Sequence, residues 1–449
     1  KMEPAEVFAC FAEINKIPRP SKKEEKMIEF LKNYGEKLGL ETKVDEVGNV
    51  IIRKPATKGY EDRETTVIQS HMDMVCEKDS NIEFDFMNDP INTEVDGEWL
   101  KAKGTTLGAD DGIGVAMELA VLKDDSIEHG PLECVFTRDE ETQLTGASGM
   151  KSGFMTGRYL LNLDSEDEGE IFISCAGGAS TKAVFHFNME EAPKDYYFFK
   201  VGISGLTGGH SGDDIEKKRA NANKLLVRFF YNEMKKFDLR ISDIQSGGLH
   251  NAIPRDGWAV CAVPMKDKEN IRIDANVYVS EIEEEYSVTE KSLKFYVESA
   301  DAADVIEKEC AKKIIASLQA VDNGVFAMSQ DIDWLVETSS NLASIHKNGN
   351  EIEIVTSQRS NIGSARKNMS ATVAAAFELG GAEVFTTDGY PGWKLNPDSE
   401  LLKLAVDSYK RLFNKEPKVL AIHAGLECGL FSERYPHMDM VSFGPTLRG

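Results

Sequence analysis

Four short segments combine acidic residues and histidine at points where apolar runs end. They are "HMDM" (71–74), "GADDGIG" (108–114), "TRDEETQ" (137–143) and "NLDSEDEG" (162–169). Polar side chains at the end of a buried strand are costly unless something pairs with them, and a metal ion is one such partner. Each segment alone is typical of a solvated loop, so only their joint placement favours a binding site.

The elements that must position these segments follow an alternating pattern up to about residue 180. Helical spacing is found in "PAEVFACFAEINKI", "KKEEKMIEFLKNYGEKLGL" and "DGIGVAMELAVLKD". Strands are indicated by "TKVDEVGNVIIRK", "TTVIQSHMDMV", "LECVFTRDE" and "RYLLNLDSE". Apolar strands alternating with helices predict an α/β fold around a largely parallel sheet. Ligands bind at the carboxyl ends of such strands, so we expect the four segments to converge there.

A change of rhythm after "CAGGAS" (175–180) predicts a second domain. Strands and helices of an α+β type follow, including the neighbouring strands "LVETSSNLASI" and "EIEIVTSQRS". "GYPGWKLNPDSE" (389–400) has the turn residues expected of a return crossing. We therefore predict a discontinuous catalytic domain over 1–180 and 389–449, with an inserted α+β domain over 181–388 that carries a single sheet.

Length and charge restrict the class of protein. A chain of 449 residues is too long for one compact core. With 52 basic and 76 acidic residues, its formal charge of −24 argues against nucleic acid or an anionic membrane as a partner. The seven cysteines are scattered, no signal-peptide pattern precedes the first helix, and no apolar run reaches the ~18 residues of a membrane span. These features favour reduced cysteines and a cytoplasmic location.

Taken together, the motifs resemble a known family. H-x-D on a strand, G-A-D-D-G-I-G, D-E-E, N-L-D-S-E and G-G-H-S-G are similar to the co-catalytic zinc exopeptidases related to carboxypeptidase G and succinyl-diaminopimelate desuccinylase. "LHNAIPR", "TSQRS", "GYPGW" and "HAGLECG" narrow the resemblance to cytosolic non-specific, or aminoacyl-histidine (Xaa-His), dipeptidases. The resemblance extends from about residue 5 to the last residue.

The resemblance implies four metal ligands: His71, Asp110, Glu141 and Asp164. It also implies that Asp110 bridges two ions and that Glu140 is the general base. Residues 71 and 73 point to the same face of a strand, so Asp73 can approach the imidazole and fix its tautomer. Neighbouring carboxylates in "DEE" point different ways, which lets one bind metal while the other takes a proton from metal-bound water.

The implied ligands nearly complete the coordination of two ions. The four positive charges of two Zn²⁺ ions are balanced by three carboxylates and a bridging hydroxide, so any further ligand should be neutral. The implied ligands and the hydroxide would form about seven bonds to the two ions, whereas two four-coordinate zinc ions need about eight. The missing donor is expected to be a histidine, which the family carries in an H-S-P-x-E segment shortly after "FGPTLRG". We therefore expect a tail beyond Gly449, with His423 or His437 as the alternative donors.

The predicted inserted domain and the returning chain supply candidate substrate-binding residues. His210 in "GLTGGHSG" resembles a lid histidine that stabilises the tetrahedral oxyanion, often in the partner subunit's active site. Asn251 in "HNAIPR" and Arg359 in "TSQRS" are further candidates, and the planar guanidinium of Arg359 suits the carboxylate of a dipeptide. His423 in "HAGLECG" is expected to line the substrate pocket with Glu427 beside it.

The activity implied by the resemblance is hydrolysis of dipeptides with broad specificity, including Xaa-His, by a hydroxide held between two divalent ions. Zinc is the expected metal, with cobalt or manganese as alternatives, and the enzyme is expected to form a homodimer through the inserted lid domain. An N-acyl-amino-acid hydrolase of the same family would share every metal residue. A non-catalytic metal-binding protein on this fold is a third alternative, but it would have no use for the free acid Glu140.

Overall fold

The computed structural model describes residues 2–79 and 81–448. The chain folds as two compact units, the first over 1–175, 393–421 and 426–449 and the second over 176–392 and 422–425. Lys1 and Gly449, at the ends of the predicted catalytic domain, lie outside the described residues. The prediction placed residues 422–425 in the catalytic domain, whereas in the structure they group with the second unit.

Helices and strands are numbered along the whole chain. The α-helices are α1 (Ala5–Ile14), α2 (Glu25–Lys37), α3 (Ala109–Lys123), α4 (Glu140–Gln143), α5 (Thr145–Gly149), α6 (Ala222–Glu233), α7 (Lys268–Glu285), α8 (Lys308–Ala320), α9 (Gly363–Leu379), α10 (Glu400–Phe413) and α11 (Glu427–Arg434). The strands are β1 (Glu41–Val44), β2 (Val50–Lys54), β3 (Thr66–His71), β4 (Thr93–Asp96), β5 (Trp99–Ala102), β6 (Leu132–Thr137), β7 (Tyr159–Asn162), β8 (Glu170–Cys175), β9 (Gly177–His186), β10 (Met189–Glu190), β11 (Tyr196–Ser204), β12 (Gly209–His210), β13 (Arg240–Gly247), β14 (Ala252–Ile253), β15 (Gly257–Pro264), β16 (Lys294–Ser299), β17 (Val305–Ile306), β18 (Gly324–Met328), β19 (Val336–Asn348), β20 (Glu351–Ser360), β21 (Glu383–Thr386), β22 (Lys418–Ile422) and β23 (Asp439–Ser442).

The main sheet of the first unit has the strand order β1-β2-β6-β3-β7-β23-β8-β22. Its centre is parallel, because β3 pairs in parallel with β6 and β7, and β7 does so with β23. Antiparallel pairs of β1 with β2, β2 with β6, and β23 with β8 flank this centre. The predicted α/β class is confirmed, and the largely parallel sheet has antiparallel edges.

Register brings the carboxyl ends of the central strands to one edge. His71, the last residue of β3, lies opposite Thr137, the last residue of β6. Gln69 of β3 lies opposite Asn162, the last residue of β7. The three loops that carry most of the predicted site residues therefore start side by side.

Helices α1, α2 and α3 cover this sheet with an apolar core. Phe11, Leu31 and Leu119, one from each helix, are almost completely buried, and they pack in one cluster with Phe136 of β6. Burying each such side chain contributes roughly 1.5–3 kcal/mol relative to leaving it in water. This core thus fixes strand β6, which precedes one site loop, and helix α3, which follows another.

The second unit contains an antiparallel sheet of order β16-β11-β15-β13-β19-β20-β9-β21, with β18 paired to β19. Its two longest strands, β19 and β20, form the predicted neighbouring pair and run antiparallel. Helices α6 to α9 pack with this sheet in a single large core, in which Phe199, Phe230 and Phe377 are fully buried. This core fixes β20, which carries Arg359.

All the cysteines are free thiols, in keeping with the reduced state predicted from their spacing. Among the helices of the described residues, none combines the length and the apolar character required to cross a membrane.

Candidate metal centre and cationic cluster

The predicted metal ligands surround the imidazole of His71. Its Nε2 atom lies 2.9 Å from Asp110 Oδ1, 3.4 Å from Asp164 Oδ1 and 4.0 Å from Glu140 Oε2. The ligand atoms of His71, Asp110 and Asp164 lie within 4.8 Å of one another, as do those of His71, Glu140 and Glu141. The structure thus brings together the four proposed ligands and the proposed base.

Asp73 lies on the other side of the same imidazole. Its Oδ1 is 3.2 Å from His71 Nδ1, and both residues are completely buried. The Asp73 carboxylate also accepts the backbone N–H groups of Glu140 at 3.0 Å and Glu141 at 3.2 Å, and the Ser21 hydroxyl at 2.7 Å. Burial alone would raise the pKa of Asp73, but the hydrogen bond and charge of His71 lower it to about 2. Asp73 therefore positions the imidazole and the following carboxylates together.

The turn that begins α4 is held by a second buried carboxylate. Asp139 has a left-handed backbone with φ of 52°, and its carboxylate accepts the hydroxyls of Thr142 and Thr145. Its backbone N–H donates to Glu24 Oε1 at 3.1 Å, while Arg138 Nε donates to Glu24 Oε2 at 2.7 Å. Residues before α2 thus help to fix the "DEE" turn.

The backbone leaves the helical conformation where α3 begins. Asp110 has φ −84° and ψ 114°, so the regular helix starts after the two aspartates. The Asp111 carboxylate turns back and accepts the backbone N–H of His71 at 3.3 Å. A Cβ atom on Gly114 would lie 2.3 Å from Asp111 Oδ1, so only glycine leaves room for that carboxylate.

A buried arginine ties two of the site loops together. Arg19 is 1% exposed, and its guanidinium donates to the carbonyls of Met72 at 3.4 Å, Asp73 at 3.3 Å and Gly108 at 2.7 Å. Burial lowers the pKa of Arg19 to about 10, so it stays protonated at neutral pH. A Cβ atom on Gly112 would lie 2.6 Å from Nη2, which explains a second glycine of "GADDGIG".

A chain of buried polar groups supports Asp164 from below. Its backbone N–H donates to Asn162 Oδ1 at 3.3 Å, Asn162 Nδ2 donates to Gln69 Oε1 at 2.7 Å, and Gln69 Nε2 donates to Glu427 Oε2 at 2.7 Å. Glu427 is completely buried in the first unit, whereas His423 belongs to the second. The expectation that Glu427 lines a substrate pocket with His423 stays a prediction.

The gathered carboxylates make the centre strongly electronegative. Burial and the negative charge of Asp164 raise the pKa of Glu140 well above its ordinary value, and burial with the charge of Asp110 raises that of Glu141 to about 7. Burial would lower the pKa of His71, but Asp164 and its neighbours raise it well above the usual range. An imidazole nitrogen and several carboxylate oxygens are ligands that Zn²⁺ and similar divalent ions accept. The donor set fits such ions.

The second unit contains a cluster of opposite sign around Arg359. Arg359 is 7% exposed, and its Nη1 donates to the Tyr390 hydroxyl at 3.1 Å. No carboxylate in the described part of the chain forms a salt bridge with it. Burial and the charge of Arg359 lower the pKa of His423 to about 3, and they also lower the pKa values of His210 and His250. The histidines of this cluster are neutral at physiological pH.

The tautomer of His210 follows from its hydrogen bonds. Its Nδ1 atom accepts the backbone N–H groups of Gly212 and Asp213, each at 3.2 Å, so the neutral ring carries its proton on Nε2. Strand β12, which ends at His210, pairs with β14, and Asn251 immediately precedes β14. His423 Nε2 lies 2.7 Å from Ser339 Oγ. The four predicted substrate-binding residues all lie in the second unit.

Several residues that position these groups carry no clear signal in the sequence. Arg19 and Ser21 lie in "PRPSKKE", where a basic residue between two prolines is the only signal. Tyr390 lies in "GYPGW", which was used only for the resemblance and for a predicted return crossing. Their roles depend on contacts between residues distant along the chain, which no local pattern encodes.

A histidine and a group of carboxylates at the carboxyl edge of an α/β sheet define a metal-dependent hydrolase. Residues 67–449 match the model of the family described as "Peptidase family M20/M25/M40". The chain belongs to this family of metallopeptidases. It is therefore an enzyme, and the alternative of a non-catalytic metal-binding protein is not retained.

Individual relatives agree with this assignment. The chain is 41% identical over 451 aligned positions to the cytosol non-specific dipeptidase of Escherichia coli K12, covering 100% of this chain and 93% of the relative. It is similar to the crystal structure of an aminoacylhistidine dipeptidase from Vibrio alginolyticus, with a TM-score of 0.91, 40% identity and coverage of 100% and 92%. A tripeptidase from Staphylococcus aureus shares the fold, with a TM-score of 0.55 at 16% identity and coverage of 98% and 89%.

The buried guanidinium of Arg19 gives a prediction about metal affinity. Arg19→Met removes donors to three carbonyls, so the loops after β3 and before α3 lose their common anchor. We expect Zn²⁺ binding about tenfold weaker or more, and a lower unfolding temperature. Zinc content after dialysis against graded chelator, together with thermal melting, measures both effects. Arg63→Met, which changes an exposed arginine over the Tyr60 ring, is the control. Wild-type zinc affinity in Arg19→Met would contradict the anchoring role.

Proposed function

We propose that the protein hydrolyses dipeptides with broad specificity, including Xaa-His dipeptides, in a reaction that depends on divalent metal ions. The observation that carries the proposal is the gathering of four carboxylates around one imidazole in a chain of this peptidase family. The dipeptidase names of two relatives that match the whole chain at about 40% identity support the substrate class.

Two divalent ions, most simply Zn²⁺ with Co²⁺ or Mn²⁺ as alternatives, would be held by the residues around His71. The proposed ligands are His71, Asp110, Glu141 and Asp164, with Asp110 shared between the ions. The surplus of negative charge and the mixed nitrogen and oxygen donors support this assignment. When bound, the ions polarise the scissile carbonyl and lower the pKa of the attacking water.

Glu140 is the proposed general base. No hydrogen bond to its carboxylate is found in the described part of the chain, whereas its backbone N–H is anchored on Asp73. The Glu140 carboxylate can therefore take a proton from the attacking water and deliver it to the departing amine, while its main chain stays fixed. Asp73 is a positioning residue: it holds the imidazole of His71 and the backbone of Glu140 and Glu141 in place.

The cluster in the second unit is the proposed recognition site for the substrate's polar groups. Arg359, which has no acidic partner among residues 2–79 and 81–448, would bind the C-terminal carboxylate of the dipeptide. His210, held neutral with its proton on Nε2, would donate a hydrogen bond to the developing oxyanion. Asn251 and His423 would contact the substrate as well.

A cytoplasmic location and a homodimer built through the second unit, acting as a lid, complete the proposal. The name of the cytosol dipeptidase of Escherichia coli and the net charge of −24 support the location. The resemblance of the "GGHSG" loop to lids that serve a partner's active site supports the dimer.

An N-acyl-amino-acid hydrolase remains the alternative, since it would use the same metal residues. A panel of dipeptides, including several Xaa-His, and the matching N-acetyl amino acids separates the two. We expect kcat/KM roughly tenfold or more higher for the dipeptides, because a site that binds a free amino group leaves its own polar groups unpaired when that amine is acylated. Preference for the acetylated series would favour the alternative.

Glu140→Gln tests the proposed base. We expect kcat to fall about a hundredfold or more while zinc content stays at the wild-type level, because the amide cannot accept the proton. Glu141→Gln, one residue away, should lose zinc and activity together. Unchanged turnover would exclude Glu140 as the base, and loss of zinc would make it a metal ligand instead.

Arg359→Met tests carboxylate recognition. Removing a buried charge-assisted hydrogen bond should raise KM for dipeptides by roughly 30- to 100-fold, with a smaller change in kcat. Steady-state kinetics on one dipeptide measures both constants. Arg228→Met, which removes an arginine of the same unit paired with Glu285, should keep wild-type kinetics. Unchanged KM in Arg359→Met would refute the assignment.

A further inference from the structure

The backbone of Tyr390 is fixed at the start of strand β9. Tyr390 exchanges two backbone hydrogen bonds with Gly178, one of 2.9 Å and one of 3.1 Å. Arg366 donates to the carbonyls of both residues, and to the carbonyl of Asp388 at 3.2 Å. The segment around Tyr390 is thereby held in a fixed register against β9, the neighbour of β20 in the sheet.

The ring of Tyr390 occupies a space that two glycines leave open. A Cβ atom on Gly178 would lie 2.7 Å from the Tyr390 hydroxyl, and one on Gly425 would lie 2.7 Å from the ring carbon Cε2. Gly178 also lies opposite Arg359 in the pairing of β9 with β20. The ring is therefore confined on two sides, with its hydroxyl at the guanidinium of Arg359.

The hydroxyl orients the guanidinium without neutralising it. An acidic partner would align Arg359 equally well, but it would cancel the positive charge and compete with an anionic ligand. A phenol accepts one N–H and leaves the charge in place. The buried Nε of Arg359 has no hydrogen-bond partner among the described residues, so donors of the guanidinium remain for a ligand.

We propose that Tyr390 is a positioning residue for substrate binding: its hydroxyl holds the guanidinium of Arg359 in the orientation that receives the C-terminal carboxylate. The inference rests on the proposed function, in which Arg359 binds that carboxylate. It extends the function to a residue that acts only through Arg359, and it makes the pair selective for anions.

Tyr390→Phe is the direct test, because it keeps the ring between the two glycines and removes only the hydroxyl. We expect KM for a dipeptide to rise about fivefold, as for the loss of one hydrogen bond that orients a charged group, with kcat within about twofold of wild type. Tyr231→Phe removes a hydroxyl from α6 of the same unit and should leave both constants unchanged. Thermal melting should give the wild-type temperature for both variants.

A double-mutant cycle with Arg359→Met separates positioning from direct contact. If Tyr390 acts through Arg359, Tyr390→Phe adds no further rise in KM once Arg359 is methionine. A full fivefold penalty in that background would show that Tyr390 acts independently and would overturn the inference. Wild-type KM in Tyr390→Phe, while Arg359→Met alone raises KM, would also overturn it and leave the proposed function intact. If Arg359→Met itself leaves KM unchanged, the carboxylate assignment fails first.

Discussion

Mutual repulsion between closely spaced carboxylates is the constraint on which the first unit depends. The ligand atoms of Asp110 and Asp164 lie within 4.8 Å of each other, as do those of Glu140 and Glu141, and at an effective dielectric constant near 20 a pair of like charges at that separation costs on the order of 3–4 kcal/mol. The fold opposes this repulsion with fixed groups: the guanidinium of Arg19, the backbone N–H groups that bind Asp73, and the apolar core under β3 and β6. Divalent cations bound among these carboxylates would relieve the repulsion.

Both units use neutral hydrogen-bonding groups to orient a charged side chain. In the first, the Asp73 carboxylate accepts a hydroxyl and two backbone N–H groups, in addition to its contact with His71. In the second, Arg359 is held by the phenol of Tyr390. Neutral partners fix the direction of a charged side chain but leave its charge uncancelled. Arg359 therefore keeps a positive charge that an anionic ligand can meet.

The strand-end motifs could be predicted from sequence because they depend on local pattern and on one general property of parallel sheets. Period and turn residues located β3, β6 and β7, and the shared edge of these strands implied that the residues after them would meet.

Helix α7 was missed, because the β-branched and acidic residues of "KENIRIDANVYVSEIEEE" give a weak helical stripe. The prediction put 422–425 in the catalytic domain, whereas these residues group with the second unit, and that grouping depends on tertiary contacts. Arg19 could not be predicted, because its partners Met72 and Gly108 are far away in sequence.

The glycines of the motifs have a role beyond turn formation. In a sequence they indicate tight turns, and Gly108 does adopt a left-handed conformation with φ of 69°. Gly112 and Gly114, however, leave room for the guanidinium of Arg19 and the carboxylate of Asp111, as Gly178 leaves room for the ring of Tyr390. Each glycine therefore allows a polar or charged side chain to approach a backbone more closely than a Cβ atom would permit. This close approach allows Arg19 to contact two loops at once. The geometry of both sites therefore depends on the absence of a side chain at these glycine positions.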